Sequence, residues 1–398
     1  MKSIDFSKTL PQDADRATLV GRVWRPDADG PSVVTIRGVD VVDVTSSFAT
    51  VRDLCERDDP AIALAKAKGE SLGSIHAILL NSDAAERDAQ RPWLLAPVDL
   101  QAIKAAGVTF VASMLERVIE ERTRGVPELA AKARAEVLEL VGGDLARLKP
   151  GSAEAAKLKD WLIVKNAWSQ YLEVGIGPDA EIFTKSQPMS AVGTGAAAGI
   201  HPASRWNNPE PEVVLAVASS GRIVGATLGN DVNLRDVEGR SALLLAKAKD
   251  NNASCAIGPF LRLFDGGFTL DDVRQTDIEL VVVGEDNFRL EGMSSLRLIS
   301  RDPADIAAQA IGANHQYPDG LVLFLGTMFA PVQDRDALGQ GFTHKIGDIV
   351  TISAPRLGTL ANRIATSDQA PPWRFGVSHL FRNLAKRGLL NQTGGDTR

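Results

Sequence analysis

The stretch Asn207-Asn208-Pro209-Glu210-Pro211-Glu212-Val213-Val214-Leu215, followed by Gly229-Asn230-Asp231-Val232-Asn233-Leu234-Arg235-Asp236, decides how this chain is read. Pro209 and Pro211 disfavour helix and favour extended backbone. Residues i and i+2 of an extended segment project from one face, so Glu210 and Glu212 point the same way. Two carboxylates that close raise each other's pKa unless a cation neutralises them. A third, Asp231, follows 19 residues after Glu212. A hard divalent cation suits such an all-carboxylate set, Mg²⁺ first and Mn²⁺ as an alternative. Each piece alone has a plain explanation: Glu-x-Glu on an exposed edge strand, and Asp231 as a turn residue after Gly229-Asn230. Their combination with Arg235-Asp236 downstream, and with Lys249 ahead of Gly258-Pro259, favours a metal centre.

In this order the motifs resemble those of the fumarylacetoacetate hydrolase superfamily. That family carries Glu-x-Glu, then Asn-Asp-x-Ser-x-Arg-Asp, then a Lys ahead of Gly-Pro, then Gly-Thr after a strand. Here these fall on Glu210/Glu212, Asn230 to Asp236, Lys249 with Gly258-Pro259, and Gly326-Thr327. The resemblance spans about residues 92 to 390 and is nearest to the sugar-acid branch, the dehydratases of 2-keto-3-deoxy-D-arabinonate and -xylonate. It implies an α+β fold, a mixed β-roll core with short helices carrying the metal site at one mouth. We expect a small N-terminal α+β domain at 1–95 and the catalytic domain at 96–398, split where the charged run Ala84 to Arg91 meets Pro92 and Pro97.

The resemblance also implies roles. Glu210, Glu212 and Asp231 would ligate Mg²⁺ and leave open positions for a 2-oxo carboxylate, whose developing negative charge the metal would hold as a C3 proton leaves. Lys249 would hold that charge or shuttle protons. Glu181 begins a Glu, apolar pair, one residue, Lys pattern like that of the sugar-acid branch, and is the candidate proton-transferring carboxylate. Thr327 would contact the substrate carboxylate, and Arg235 the substrate. Hydrolases of the superfamily carry Asn-Tyr-x-x-His-x-x-Glu, and the matching stretch here is Thr109 to Glu116, with Ser113 in the His position. Without that His the stretch lacks the His/Glu dyad that activates water for C–C hydrolysis, whereas elimination of water needs no activated nucleophile. Ser113, Glu116 and Arg117 are then candidates for meeting substrate hydroxyls, or form an ordinary amphipathic helix face.

The implied function is a Mg-dependent dehydratase converting 2-keto-3-deoxy-D-pentonate to 2,5-dioxopentanoate in pentose catabolism. The main alternative is a C–C hydrolase of acylpyruvates or 2,4-diketo-3-deoxy sugar acids. Oxaloacetate-type decarboxylation and a non-catalytic sugar-acid binder are further readings.

At 398 residues, 44% apolar and 24% charged, the composition is that of a soluble two-domain protein. Net charge is −6 and no basic tract appears, so nucleic acid is not an expected partner. No apolar run approaches a membrane span and the first residues lack a secretory pattern, so a cytoplasmic enzyme is expected, with a small-molecule 2-oxo sugar acid as its partner. By analogy with the family it would be a homo-oligomer, dimer or tetramer. Two cysteines, Cys55 and Cys255, are 200 positions apart and fit free thiols.

Residues 17–45 read as a strand meander, and Thr50 to Ala67 as two helical pieces with Pro60 opening the second. Helices are expected in the second half of Leu100 to Arg124, over Pro127 to Leu148 with Gly142-Gly143 interrupting, over 152–172, and after Asp302-Pro303. Strands are expected at Glu212 to Ala218, Ile223 to Thr227, Ile278 to Val283, Leu296 to Ser300, Leu321 to Leu325 and Asp348 to Ser353. Gly193 to Gly199 lacks a nucleotide-loop pattern and reads as a flexible loop over the site.

Overall fold

A computed structural model describes residues 2–141, 148–329, 331–336, 338–339 and 341–390. The expected Gly142-Gly143 interruption lies outside them.

The run Val213 to Val217 is apolar at every position because it is buried on both faces. Val213, Leu215 and Val217 join one core cluster, and Val214 and Ala216 another. It belongs to the strand Pro211–Val217, which pairs antiparallel with Ile223–Asp231 on one side and Leu321–Phe324 on the other. These are central strands of an 11-stranded sheet. In sheet order it runs Glu70–Ser74, Asp40–Asp43, Gly30–Arg37, Leu19–Arg25, Cys255–Leu263, Ile223–Asp231, Pro211–Val217, Leu321–Phe324, Ala102–Gly107, Glu181–Ser186, with Trp93–Leu95 added beside Leu19–Arg25. A second sheet of five strands runs Arg289–Ser295, Asp277–Val283, Ile349–Ala354, Gly358–Thr366, Ala197–Ile200. The largest core cluster joins the two, with Leu215, Leu228, Leu280, Ile352 and Leu360 all at or below 1% exposure. This is the mixed sheet-rich α+β architecture expected.

Residues 2–95 and the remainder share a sheet. Leu19 and Val20 pair with Arg262 and Leu261, and Val20, Val33, Leu54 and Leu64 pack in one cluster with Val214, Ile257 and Phe324. The helices Val111–Thr123, Ala130–Val141, Ala153–Val164 and Gln170–Ile176 form a separate layer around Met114, Val118, Leu162 and Leu172. Among the described residues no helix is long and apolar enough to cross a membrane. Both cysteines are buried and free.

Four local expectations differ. Leu296 to Ser300 is no strand; Leu296–Leu298 is one 3-10 turn, capped by Ser295, whose hydroxyl accepts from the Arg297 N–H. The 152–172 helix breaks at Asn166, which takes a left-handed φ of 52°. The strand Cys255–Leu263 was hidden by Gly258-Pro259 inside it, yet it joins the N-terminal strands to the central sheet. Gly193 to Gly199 is pinned rather than flexible: the Gly195 N–H donates to the Ala361 carbonyl at 2.7 Å, and Ala197–Ile200 is a strand.

Candidate active site

Antiparallel pairing builds the acidic cluster. Pro211 lies opposite Asn230 and Glu212 opposite Gly229, so Asp231 arrives beside Glu210. The corner is locked by backbone: the Asp231 N–H donates to the Glu210 carbonyl at 3.0 Å, and the Glu210 N–H to the Asn230 side-chain oxygen at 3.0 Å. One oxygen each from Glu210, Glu212 and Asp231 lie within 4.8 Å of one another, and all three residues are buried. Lys249 ends the helix Leu245–Lys249, and its ammonium bonds Glu210 and lies 3.1 Å from Asp231.

Two glycines let groups approach. Gly326, at φ 96°, donates its N–H to Glu212 Oε2 at 2.7 Å, and a Cβ there would lie 2.0 Å from the Thr109 hydroxyl. Gly107 lies under the Glu181 carboxylate, where a Cβ would be 2.0 Å from Oε2. Ser113, Arg117, Glu181 and Thr327 line one cavity with the three acids and Lys249. The Ser113 hydroxyl donates to the Phe110 carbonyl at 2.9 Å, and that of Thr327 to the Phe329 carbonyl at 3.0 Å.

Glu116 and Arg235, expected at the substrate, are not brought to the cavity. They sit behind it in a buried chain of alternating charge. Arg117 bonds Glu210 and Glu120; Arg235 bonds Glu120 at 2.6 Å and Glu116 at 2.8 Å; Arg134 closes on Glu116 at 2.8 and 3.0 Å. Arg235 also stacks on Trp206 at 4.3 Å. Serine at position 113, where the hydrolases carry histidine, thus comes with a Glu116 already held by two arginines.

Sequence reasoning missed Lys185, Glu120 and Glu238. Lys185 is fully buried, 2.7 Å from Asp231 Oδ1, on the edge strand Glu181–Ser186. Strand alternation puts it on the face of Glu181 and Phe183, which line the cavity, and the register of the strand pair skips it. The only trace in the sequence was its place in the Glu181 to Lys185 pattern. Glu238 lines the cavity at the end of the short helix Arg235–Glu238, 3.2 Å from Arg117. Glu120 sits between Arg117 and Arg235.

The protonation equilibria follow these neighbours. Burial, then Asp231 and Glu210, push Glu212 well above the usual carboxylate range, and the one hydrogen bond it accepts among the described residues, from the Gly326 N–H, does not offset them. Burial also opposes ionisation of Asp231, but Lys185 and Lys249 outweigh it and hold the carboxyl low. Burial works against the Lys249 charge, yet Asp231 and Glu210 raise its pKa. Glu181 is pushed up to about 7, by burial first and by Glu238 second.

Counting the described groups, seven carboxylates (Glu116, Glu120, Glu181, Glu210, Glu212, Asp231, Glu238) face five cations (Arg117, Arg134, Lys185, Arg235, Lys249). With every group ionised the deficit would be two positive charges, and the raised pKa values of Glu212 and Glu181 are its expression in the metal-free chain. The donor set, all oxygen and all carboxylate, fits a hard divalent ion.

Residues 190–365 match the family model described as fumarylacetoacetate (FAA) hydrolase C-terminal. Among curated proteins it is similar to the 2-dehydro-3-deoxy-D-arabinonate dehydratase of Saccharolobus solfataricus, 32% identical over 183 residues, covering 45% of this chain and 57% of that protein. It is also similar to a protein of Haloferax volcanii named as a probable 2-keto-3-deoxyxylonate dehydratase, 29% identical over 196 residues, covering 49% and 64%. The matched part thus spans less than two thirds of either relative. Solved structures share the fold: 2-keto-3-deoxy-D-arabinonate dehydratase in apo form (21% identity, 88% of this chain and 99% of that chain, TM-score 0.60) and complexed with magnesium and 2,5-dioxopentanoate (21%, 88% and 99%, TM-score 0.58).

Proposed function

We propose that this protein is a Mg²⁺-dependent dehydratase converting 2-keto-3-deoxy-D-pentonate to 2,5-dioxopentanoate and water. The observation that carries the reading is the buried Glu210/Glu212/Asp231 cluster, short of positive charge when ionised, with a raised-pKa carboxylate and an ammonium in the same cavity. The names of the two curated relatives support the substrate, and the magnesium and 2,5-dioxopentanoate held by one solved structure of the same fold support the ion and the product.

Glu210, Glu212 and Asp231 would hold the ion, and Mn²⁺ fits the same donors. When bound, it supplies Lewis-acid stabilisation of negative charge at the 2-oxo carboxylate end of the substrate. The remaining work belongs to side chains. Glu181, with a pKa of about 7, is poised to accept the C3 proton near neutrality. Lys249, kept protonated by its acidic neighbours, balances charge on the oxo side. The hydroxyls of Ser113 and Thr327 and the Arg117 guanidinium offer hydrogen bonds to the sugar acid. The C4 hydroxyl leaves with that proton as water, giving the C3=C4 enone; C3 is then reprotonated and a C5 proton lost to give the C4=C5 enol, whose hydroxyl proton is exchanged for one at C4 to leave the semialdehyde. Hydrolysis of a C–C bond is disfavoured here, because Ser113 donates to a backbone carbonyl and Glu116 is held by Arg134 and Arg235.

The test is an end-point assay with 2-keto-3-deoxy-D-xylonate, with Mg²⁺ and with EDTA, products identified by mass. Loss of one water only with metal is expected. Pyruvate plus a fragment, or turnover undiminished by EDTA, would overturn the reading.

A further inference from the structure

The site cavity is small, about 20 Å³, room for little more than one water or ion. A five-carbon acid needs more space and a way in. Glu238 also forms the wall of a second, open cleft of about 540 Å³, within the ~300–1,000 Å³ typical of small-molecule sites. Tyr171, buried, lies in the same cleft.

Two exposed arginines line this cleft, Arg124 and Arg240. They stand on one rim for a backbone reason. Arg124 precedes Gly125 and Arg240 follows Gly239, and a Cβ on Gly239 would lie 2.9 Å from the Gly125 nitrogen, so the two turns abut. Unlike Arg117, Arg134 and Arg235, neither makes an ion pair with another described residue. The lining also carries two acids: Glu238 is paired with Arg117 at 3.2 Å, and Glu121 accepts from Ser169 and from Gln170 at 2.9 Å. A chain of net charge −6 repels an anionic substrate at long range, so exposed arginines with no ion-pair partner at a mouth matter to it.

We propose that this cleft is the vestibule through which the anionic substrate reaches the cavity, and that Arg124 and Arg240 steer it there. The proposal rests on the site being an anion-binding metal centre, as above, but its test does not need the sugar acid. The probe is oxalate, a small dianion able to chelate a divalent ion, mixed with Mg²⁺-loaded protein and followed by stopped-flow tryptophan fluorescence. In the wild type the association rate should fall as salt rises. In Arg124→Glu/Arg240→Glu it should be at least about tenfold lower at low salt, and should rise with salt. Arg124→Gln/Arg240→Gln should lie between, with little salt dependence, and serves alone if the charge-reversed protein does not fold. The oxalate dissociation rate should stay within about twofold throughout, since steering acts on association. Salt slopes identical across the proteins, or a change in the dissociation rate alone, would overturn the proposal. So would failure of oxalate to bind the wild type. A steering effect without dehydration of 2-keto-3-deoxy-D-xylonate would support the vestibule and sink the substrate.

Discussion

Two clusters of buried charge in this chain make opposite use of similar residues. Around Asp348 the charges are matched. Both of its oxygens take the Arg335 guanidinium, at 2.6 and 2.8 Å, and Oδ2 also takes the Lys345 N–H at 2.9 Å and His344 at 3.3 Å. Burial opposes ionisation of Asp348, but Arg335 and His344 outweigh it, and its pKa stays below the usual value. Around Glu212 they are not matched. That carboxylate, equally buried, has one backbone N–H and two acidic neighbours. The first arrangement ties the loop of Arg335 to the five-stranded sheet; the second stores an affinity for positive charge.

The sharpest way to break this contrast is to remove one group from each cluster. Glu210→Gln or Asp231→Asn should lower turnover by more than about a thousandfold, the scale of losing electrostatic stabilisation in a site. The Mg²⁺-dependent rise in Tm should vanish with it; Glu212→Gln, which removes a carboxylate bonded to no cation among the described residues, should do the same with the fold in EDTA retained. Arg335→Ala should do the reverse. It strands the buried Asp348 carboxylate, a loss of about 3–5 kcal/mol in urea unfolding, and leaves the Mg²⁺ affinity of whatever remains folded unchanged. Equal effects of both substitutions on metal affinity would show that the two clusters are one system.

The pH response of Glu181 gives a smaller and finer difference. If it is the base, kcat/KM should climb as pH rises through about 7 and level above it. Stability should move the other way. Its pKa is raised from 4.5 to about 7, so between those values the metal-free folded chain holds a proton that the unfolded chain has released. Stability from this group is therefore full below about 4.5 and is lost progressively up to and beyond 7. Glu181→Gln should flatten the rate profile at a low level while raising the Tm of the EDTA-treated protein at pH 8. A variant that loses activity but keeps the limb near 7 would move the base elsewhere, to Lys249 or a water.

What the sequence disclosed follows the same division. Glu210, Glu212 and Asp231 were legible because prolines, strand alternation and spacing constrain where three carboxylates can point. The strand Pro211–Val217 was legible because both its faces are apolar. Lys185 was not, since alternation groups it with Glu181 and Phe183 but nothing local in the sequence says that this face of the strand meets Asp231. Glu116 and Arg235 were placed at the substrate because a motif shows which residues travel together and not how many layers separate them. The strand Cys255–Leu263 was lost to the Gly-Pro inside it, and with it the join between the N-terminal strands and the rest. Balance of charge, the property that separates the two clusters, belongs to the assembled neighbourhood and to no single stretch of chain.

His344 provides the smallest effect and a check on the matched cluster. Burial lowers its pKa below 6.5, more than its hydrogen bond to Asp348 raises it. As pH falls through 6.5 the unfolded chain takes up a proton that the folded chain refuses, so stability drops until the lower folded pKa is reached. The slope contributed is at most about 1.4 kcal/mol per pH unit. His344→Asn keeps a polar group near Asp348 and removes the titration. It should flatten urea-unfolding stability between pH 7 and 5.5 without altering the pH dependence of turnover. A shift in the turnover profile would mean that the closed cluster and the open one share protons, and that the separation drawn between them is too clean.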